Sequence, residues 1–152
     1  MELLPALAAS ASGLTAERLR LDLIASNLAN INTTRVPGDP NGGPYRRKVP
    51  VFAEKLREAL GPGLGPAPGQ QPYQAPGQGV TVAAIVEDNT PPRLVYDPSH
   101  PDADANGYVR LPNINVVNEM VDMITATRAY EANVTVLNAA KAMTLKALEI
   151  GR

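Results

Sequence analysis

The last forty residues, 113–152, read NINVVNEMVDMITATRAYEANVTVLNAAKAMTLKALEIGR, and this stretch decides the fold. From Val116 onward its apolar residues recur three and four positions apart, the spacing of a seven-residue helical repeat. The seam predicted from this spacing is Val116, Met120, Met123, Tyr130, Val134, Leu137 and Leu148, with Thr127, Lys141 and Thr144 between them. Asn115 is placed to cap the start of the helix. At 1.5 Å per residue, a helix over 116–149 is roughly 50 Å long, and it needs a partner along that length.

The N-terminal region carries a matching repeat. Its leucines are spaced by seven, at Leu7, Leu14, Leu21 and Leu28. The pattern predicts a helix over residues 2–31, and a compact insert would bring the ends of the two helices together. We therefore expect an α+β fold in which the terminal helices, within 1–34 and 112–152, form an antiparallel coiled-coil arm. A small β-rich lobe, residues 35–111, is expected between them.

Within this insert, short runs of β-forming residues alternate with turn signals. Strands are predicted at 45–52, 80–87, 93–96 and 108–111, with a short helix over 53–60. Residues 61–79 contain eleven glycines and prolines among nineteen residues and no charge, so we expect an exposed, mobile loop.

Composition excludes several classes of function. Fourteen basic and fifteen acidic residues give a net charge of −1, so the chain has no excess of positive charge with which to bind nucleic acid or an anionic membrane. The absence of cysteine excludes disulfides and thiol chemistry, and a single histidine, His100, cannot build a multi-histidine metal site. We expect no enzyme activity and no cofactor. The N-terminus lacks the pattern of a cleaved signal, and no stretch is apolar enough to insert into a membrane.

Three local patterns have weak functional interpretations. The glycines of 61–65 resemble a phosphate loop, but neighbouring prolines remove amide donors that such a loop needs. Residues 102–107, DADANG, match the opening of a calcium loop, yet Asn113 stands where a closing glutamate is required, so turn chemistry is favoured. The basic cluster 46–48 either faces a partner in part or is simply exposed, and the acidic residues are interpreted as solvated side chains.

Further apolar residues lie beside the two seams. They are Leu3, Leu19, Leu23, Ile24, Val117, Val121, Ile124 and Leu145. A two-helix hairpin buries one stripe only, so these side chains would remain exposed apolar surface. The pattern therefore indicates lateral packing against further helices, and head-to-tail contacts of that kind build open helical assemblies.

Specific motifs add a family resemblance that covers almost the whole chain. Residues 12–35, SGLTAERLRLDLIASNLANINTTR, resemble the N-terminal signature of the bacterial flagellar rod, hook and hook-associated axial proteins, with LANINT as its most specific part. Residues 43–52 (GPYRRKVPVF) and 86–109 (VEDNTPPRLVYDPSHPDADANGYV) are similar to the proximal-rod branch of that family. So are LPNINVVNEMVDMI, from residue 111, and RAYEANV, from residue 128. Many axial relatives have a glycine and an aromatic residue after the Asn-x-Asn-Thr core, where this chain has TRV.

The resemblance implies a structural subunit of the proximal rod in the flagellar basal body. Such a subunit polymerises through its terminal helices into the periplasmic drive shaft, which transmits torque and encloses the export channel. The implied partners are other proximal and distal rod proteins, the membrane-ring/rod junction protein, the rod cap, further copies of the chain and the type III export apparatus, which exports it without a cleaved signal peptide. Alternatives are another flagellar rod subunit, a type III needle-adaptor protein or a soluble coiled-coil adaptor.

By the same resemblance, two sets of residues are expected to matter. The subunit interface is expected at Leu7, Leu14, Leu21, Leu28, Met120, Met123, Tyr130, Val134 and Leu137. The family motif, which shapes the exit from the helical layer, is expected at Asn27, Leu28, Asn30, Asn32 and Thr33. No catalytic, cofactor-binding or metal-binding residue is expected.

Overall fold

The computed structural model describes residues 3–37, 42–54 and 79–150 of the chain. Its helices and strands follow one another as α1 (Leu3–Ala29), β1 (Lys48–Glu54), β2 (Val80–Glu87), β3 (Arg93–Tyr96), β4 (Tyr108–Leu111) and α2 (Val116–Ile150). The expected α+β class, with two terminal helices and short antiparallel strands between them, is confirmed.

Both helices end in the way their flanking sequence predicts. Asn115 caps α2, because its Oδ1 accepts a hydrogen bond from the N–H of Val117 at 2.9 Å. After the last residue of α1, Asn30 folds back and donates from Nδ2 to the carbonyl of Ser26 at 2.9 Å. Thr33 then donates to the side-chain oxygen of Asn30 at 3.0 Å. These short polar side chains use the unpaired groups at the helix ends and let the chain leave the helix.

The two helices pack against each other in opposite directions. Gly13 of α1 lies against Asn133 of α2, where a Cβ added to the glycine would be 3.1 Å from the asparagine Nδ2. Further along α1, Asn27 bonds to Glu119, near the start of α2. Contacts that advance along α1 therefore move back along α2, as in an antiparallel pair.

The face of α2 that meets α1 differs from the predicted seam. Glu119, Ala126 and Ala140 are buried, and Asn133, which contacts Gly13, continues the same spacing of seven. Three predicted seam positions one residue further along the helix are exposed: Met120, Thr127 and Lys141. The prediction of the seam was thus wrong at these positions. Small and polar side chains occupy the contact with α1, and a search for periodic apolar residues does not detect them.

The four strands form two separate antiparallel pairs. β1 pairs with β2 from Lys48 opposite Glu87 to Glu54 opposite Val80, and β3 pairs with β4. The last three strands have the predicted bounds, whereas β1 begins three residues later than predicted. Its start is delayed because the N–H of Tyr45 bonds to the carbonyl of Thr33 instead of to β2. Residues 55–60 of the predicted short helix and 61–78 of the predicted loop lie outside the described residues.

The β1–β2 pair lies along α1. At one end, Asn27 bonds to the backbone of Lys48. At the other end, the Ser12 hydroxyl accepts a hydrogen bond from the N–H of Val80 at 3.0 Å. Gly79 precedes this contact with φ +115°, and a Cβ there would collide with the Ser12 hydroxyl. The strand pair therefore extends back from the end of α1 toward its N-terminal half.

The buried apolar core within the described residues is small. Its members are Ala16, Ile24, Tyr45, Val109, Ile114, Ala126 and Ala140. Many larger apolar side chains remain exposed, including Val117, Val121 and Ile124 on α2 and Leu94 and Tyr96 on β3. Neither described helix combines the length and apolar character that crossing a membrane requires.

Candidate functional site

A buried polar cluster joins both helices to the start of β1, and we call it the polar clasp. Its side chains are Asn27 of α1, Tyr45 and Arg47 before β1, and Glu119 and Asp122 of α2. Asn27 and Glu119 are each only 1% exposed. Burying these polar groups is costly unless they are hydrogen-bonded, and here they bond to each other and to the residues around them.

The carboxamide of Asn27 stands at the centre of the clasp. Its Nδ2 donates to the carbonyl of Lys48 at 3.0 Å and to Glu119 Oε2 at 3.2 Å. Its Oδ1 accepts from the N–H of Lys48 at 2.9 Å and from the Tyr45 hydroxyl at 3.1 Å. An asparagine side chain has two donors and two acceptor sites, so every one of them is used here.

The charged part of the clasp is an arginine shared between two carboxylates. Arg47 donates from Nε to Glu119 Oε1 at 2.6 Å and from Nη2 to Asp122 Oδ2 at 3.2 Å. Arg20 of α1 also reaches Asp122, at 3.4 Å. Glu119 is buried, whereas Asp122 is partly exposed. Arg47 therefore compensates a buried negative charge at Glu119 and a partly solvated one at Asp122.

The clasp overturns two interpretations made from the sequence. Arg47 was expected to face a partner or to be simply exposed, yet it is held inside the chain by Glu119. Glu119 was interpreted as a solvated carboxylate at the helix N-terminus, yet it is buried. Neither environment could be predicted from the sequence, because the two residues are 72 positions apart and only the packing of α2 brings them together. Arg46, in the same basic cluster, is exposed and donates a hydrogen bond to the side-chain oxygen of Asn89 at 2.9 Å.

A second polar contact ties the exit from α1 to the loop before β4. Arg35 and Thr34 both donate to Asp102, at 2.6 Å and 2.7 Å. In the same loop, Asp104 Oδ1 accepts the backbone N–H groups of Asn106 and Tyr108, both at 2.9 Å. The turn interpretation of this acidic segment is therefore confirmed: one carboxylate shapes the turn, and the other anchors the segment after α1.

α2 also presents an uncovered apolar surface, which we call the outer apolar face and which consists of Val117, Val121 and Ile124. At 100° per residue, all three lie 140° to 160° round the helix from Glu119, on the side away from α1. They are between 53% and 66% exposed. The prediction that these side chains would stay exposed in a two-helix arrangement is confirmed, whereas Ile24, expected to be exposed with them, is buried.

The side chains expected at the subunit interface fall into two groups. The half-buried ones are Leu7, Leu14, Leu21, Leu28, Met123, Val134 and Leu137, and the exposed ones are Met120 and Tyr130. Among the motif residues, Asn27 belongs to the clasp, Asn30 and Thr33 bond to each other, and Asn32 is exposed.

Comparison with known proteins matches both ends of the chain to one class. Residues 7–35 fit the family model described as flagella basal body rod protein. Residues 105–150 fit the model described as flagellar basal body rod FlgEFG protein C-terminal. These two segments contain nearly all of α1, β4 and α2, including the α1 and α2 members of the clasp. Both matches thus indicate a rod protein of the bacterial flagellum.

Full-length relatives narrow the class. The chain is 47% identical to the flagellar basal-body rod protein FlgC of Borreliella burgdorferi, over 99% of this chain and 98% of the relative. It is 48% identical to the Bacillus subtilis protein of the same name over 94% of each chain, and 45% identical to that of Salmonella typhimurium over 93% and 92%. The chain belongs to the FlgC family of flagellar basal-body rod proteins. It is a structural subunit of the basal-body rod, not an enzyme, and it assembles with other rod components.

Proposed function

We propose that the chain is a subunit of the proximal rod, the part of the drive shaft that lies in the periplasm. It polymerises through its terminal helices, transmits torque and, with its neighbours, encloses the export channel. Its partners are further copies of itself, proximal and distal rod proteins, the membrane-ring/rod junction protein and the rod cap. The type III export apparatus delivers it without cleavage of a signal peptide.

The observation that carries this proposal is the outer apolar face of α2. Burying a valine or isoleucine side chain completely contributes about 1.5 to 3 kcal/mol. Because Val117, Val121 and Ile124 are more than half exposed, covering all three in an assembly adds roughly 2.5 to 5 kcal/mol per subunit. A neighbouring apolar helix supplies such a cover, and repetition of one head-to-tail contact builds a helical array.

The interface residues expected from the sequence extend this proposal to both helices. Met120 and Tyr130 are exposed beside the α1 contact, so a neighbouring helix can reach them directly. The leucines of the α1 repeat are half-buried and present their remaining surface outward. We propose that these side chains, with Met123, Val134 and Leu137, form the lateral contacts of a supercoiled helical layer.

A complementation experiment tests the proposal. The gene is deleted in its host, and wild-type chain or the Val121→Asp/Ile124→Asp double variant is restored. Motility is scored and purified basal bodies are imaged. We expect the deletion to leave the membrane ring without rod and hook, and the double variant to be produced and exported but not incorporated.

Asn118→Asp is the control, since it adds one of the two negative charges of the double variant at an exposed position of α2 that lies about 60° to 120° around the helix from the residues of the outer apolar face. This variant is expected to restore motility. Complete flagella in the deletion strain would refute the rod role in this host. Normal incorporation of the double variant would show that the outer apolar face is not an assembly surface.

A further inference from the structure

We propose that Asn27 is a positioning residue that reports whether α2 is docked and, when it is, fixes the β1–β2 pair to α1. This inference concerns the unassembled chain and does not rest on its place in the proximal rod. It comes from the way three distant segments meet on one carboxamide. Asn27 is supplied by α1, the Lys48 peptide group by β1, and Glu119 by α2.

The backbone contact depends on the orientation of the carboxamide. Lys48 offers both a donor and an acceptor to Asn27, so the side chain must present its oxygen to one and its nitrogen to the other. The Tyr45 hydroxyl donates to the oxygen, and Glu119 requires the nitrogen. A carboxylate accepts hydrogen bonds and cannot donate, so Glu119 allows only the orientation that also fits Lys48.

Glu119 is itself held in place by Arg47, which belongs to the segment that leads into β1. Docking of α2 therefore brings the carboxylate that orients Asn27 and pairs with Arg47. Without α2 in place, Asn27 and Arg47 lose this shared partner, and the attachment of β1 to α1 is weakened. The clasp in this way makes the position of the strand pair conditional on the C-terminal helix.

The Lys48 amide hydrogen is the direct readout, because its acceptor is Asn27 Oδ1. Hydrogen exchange of the full-length chain is followed residue by residue in the wild type and in Glu119→Gln. Glutamine has nearly the same volume, but Arg47 and Asn27 contact different oxygens of Glu119, and glutamine has an oxygen at only one of these two positions. At the other position its NH2 group would face a second donor. We expect exchange at Lys48 to accelerate about ten- to a hundredfold relative to amides within α1, since a hydrogen bond to a charged group is lost.

Asp122→Asn is the matched control, because it alters the other, partly exposed carboxylate bound by the same Arg47. It is expected to leave the ratio of Lys48 to α1 exchange within about threefold of wild type. If Glu119→Gln does not fold, Tyr45→Phe tests the orientation of Asn27, since it removes the phenol hydroxyl that donates to Asn27 and lies 3.3 Å from the Ser26 hydroxyl. It is expected to accelerate exchange at Lys48 selectively by roughly three- to tenfold. Unchanged exchange at Lys48, equal acceleration of Lys48 and α1 amides, or an equal effect of Asp122→Asn would overturn the proposal.

Discussion

Replacing Arg47 with alanine is expected to destabilise the chain far more than replacing Arg35, although both arginines lie 2.6 Å from a carboxylate oxygen. The two pairs differ in burial. Glu119, the partner of Arg47, is 1% exposed, whereas Arg35 itself is 68% exposed. The two substitutions therefore break ion pairs of equal length but different burial, and Arg47→Ala also removes the contact with the partly exposed Asp122.

The expected magnitudes follow from that difference. Breaking a buried pair leaves an uncompensated charge and costs about 3 to 5 kcal/mol. The lower figure applies to Arg47→Ala, because the Arg47 side chain keeps 26% exposure and Asn27 still donates to the carboxylate. For Arg35→Ala the loss is less than about 1 kcal/mol, since solvent screens the exposed pair. In a protein of this length, Arg47→Ala is expected to lower Tm by about 6 to 12 °C. Arg35→Ala is expected to lower it by at most about 4 °C.

The assay is thermal unfolding of the full chain, followed by circular dichroism at one protein concentration and low salt. Both arginine variants remove one positive charge, so net charge does not separate them. Equal changes in Tm for the two variants, or a smaller change for Arg47→Ala, would refute the assignment of the clasp as the stabilising contact between α2 and the approach to β1.

Three further predictions concern the chain outside the clasp. Gly79→Ala is expected to lower the free energy of unfolding by about 1 to 3 kcal/mol, because Gly79 has a positive φ and a Cβ there would collide with Ser12. A urea unfolding midpoint equal to that of the wild type would contradict this prediction. Asn115→Ala removes the cap of α2 and is expected to cost about 1 kcal/mol, measured in the same way, with Asn115→Asp as a control that keeps the acceptor. The Ser99 hydroxyl and then its N–H hold the pKa of Asp97 below its ordinary value of 3.8. The stabilisation from ionised Asp97 is fully present above pH 3.8 and is lost as pH falls through the lowered pKa. An NMR titration of Asp97 should therefore give a midpoint below 3.8, and Ser99→Ala should move this midpoint back toward 3.8.

The elements of the fold were predictable where local signals decide the structure. Asn115 marks the start of α2 because a capping side chain acts on its own backbone neighbours. The strands at 80–87, 93–96 and 108–111 follow from β-forming residues bounded by turns. The rod family was recognised from motifs in both helices, and the comparisons confirm it.

The contacts between elements were less predictable, because α2 does not bury its most apolar side chains against α1. α2 turns Glu119, Ala126 and Ala140 toward α1 and leaves Val121 and Ile124 in solvent. An apolar periodicity identifies surfaces that avoid water but does not distinguish a contact within the chain from a contact with a neighbour. The clasp was missed for a related reason, since a buried ion pair leaves no periodic signal.

The bonds from Asn27 to Lys48 also occupy two backbone groups on the edge of β1. An exposed strand edge with unpaired N–H and C=O groups is a template for pairing with another molecule. On the outer edge of β1, Asn27 occupies both groups of Lys48, and the next residue on that edge, Pro50, has no N–H to offer. A second strand therefore finds no free N–H at either of these two residues. One asparagine and one proline thus make the start of β1 a poor template for a second strand.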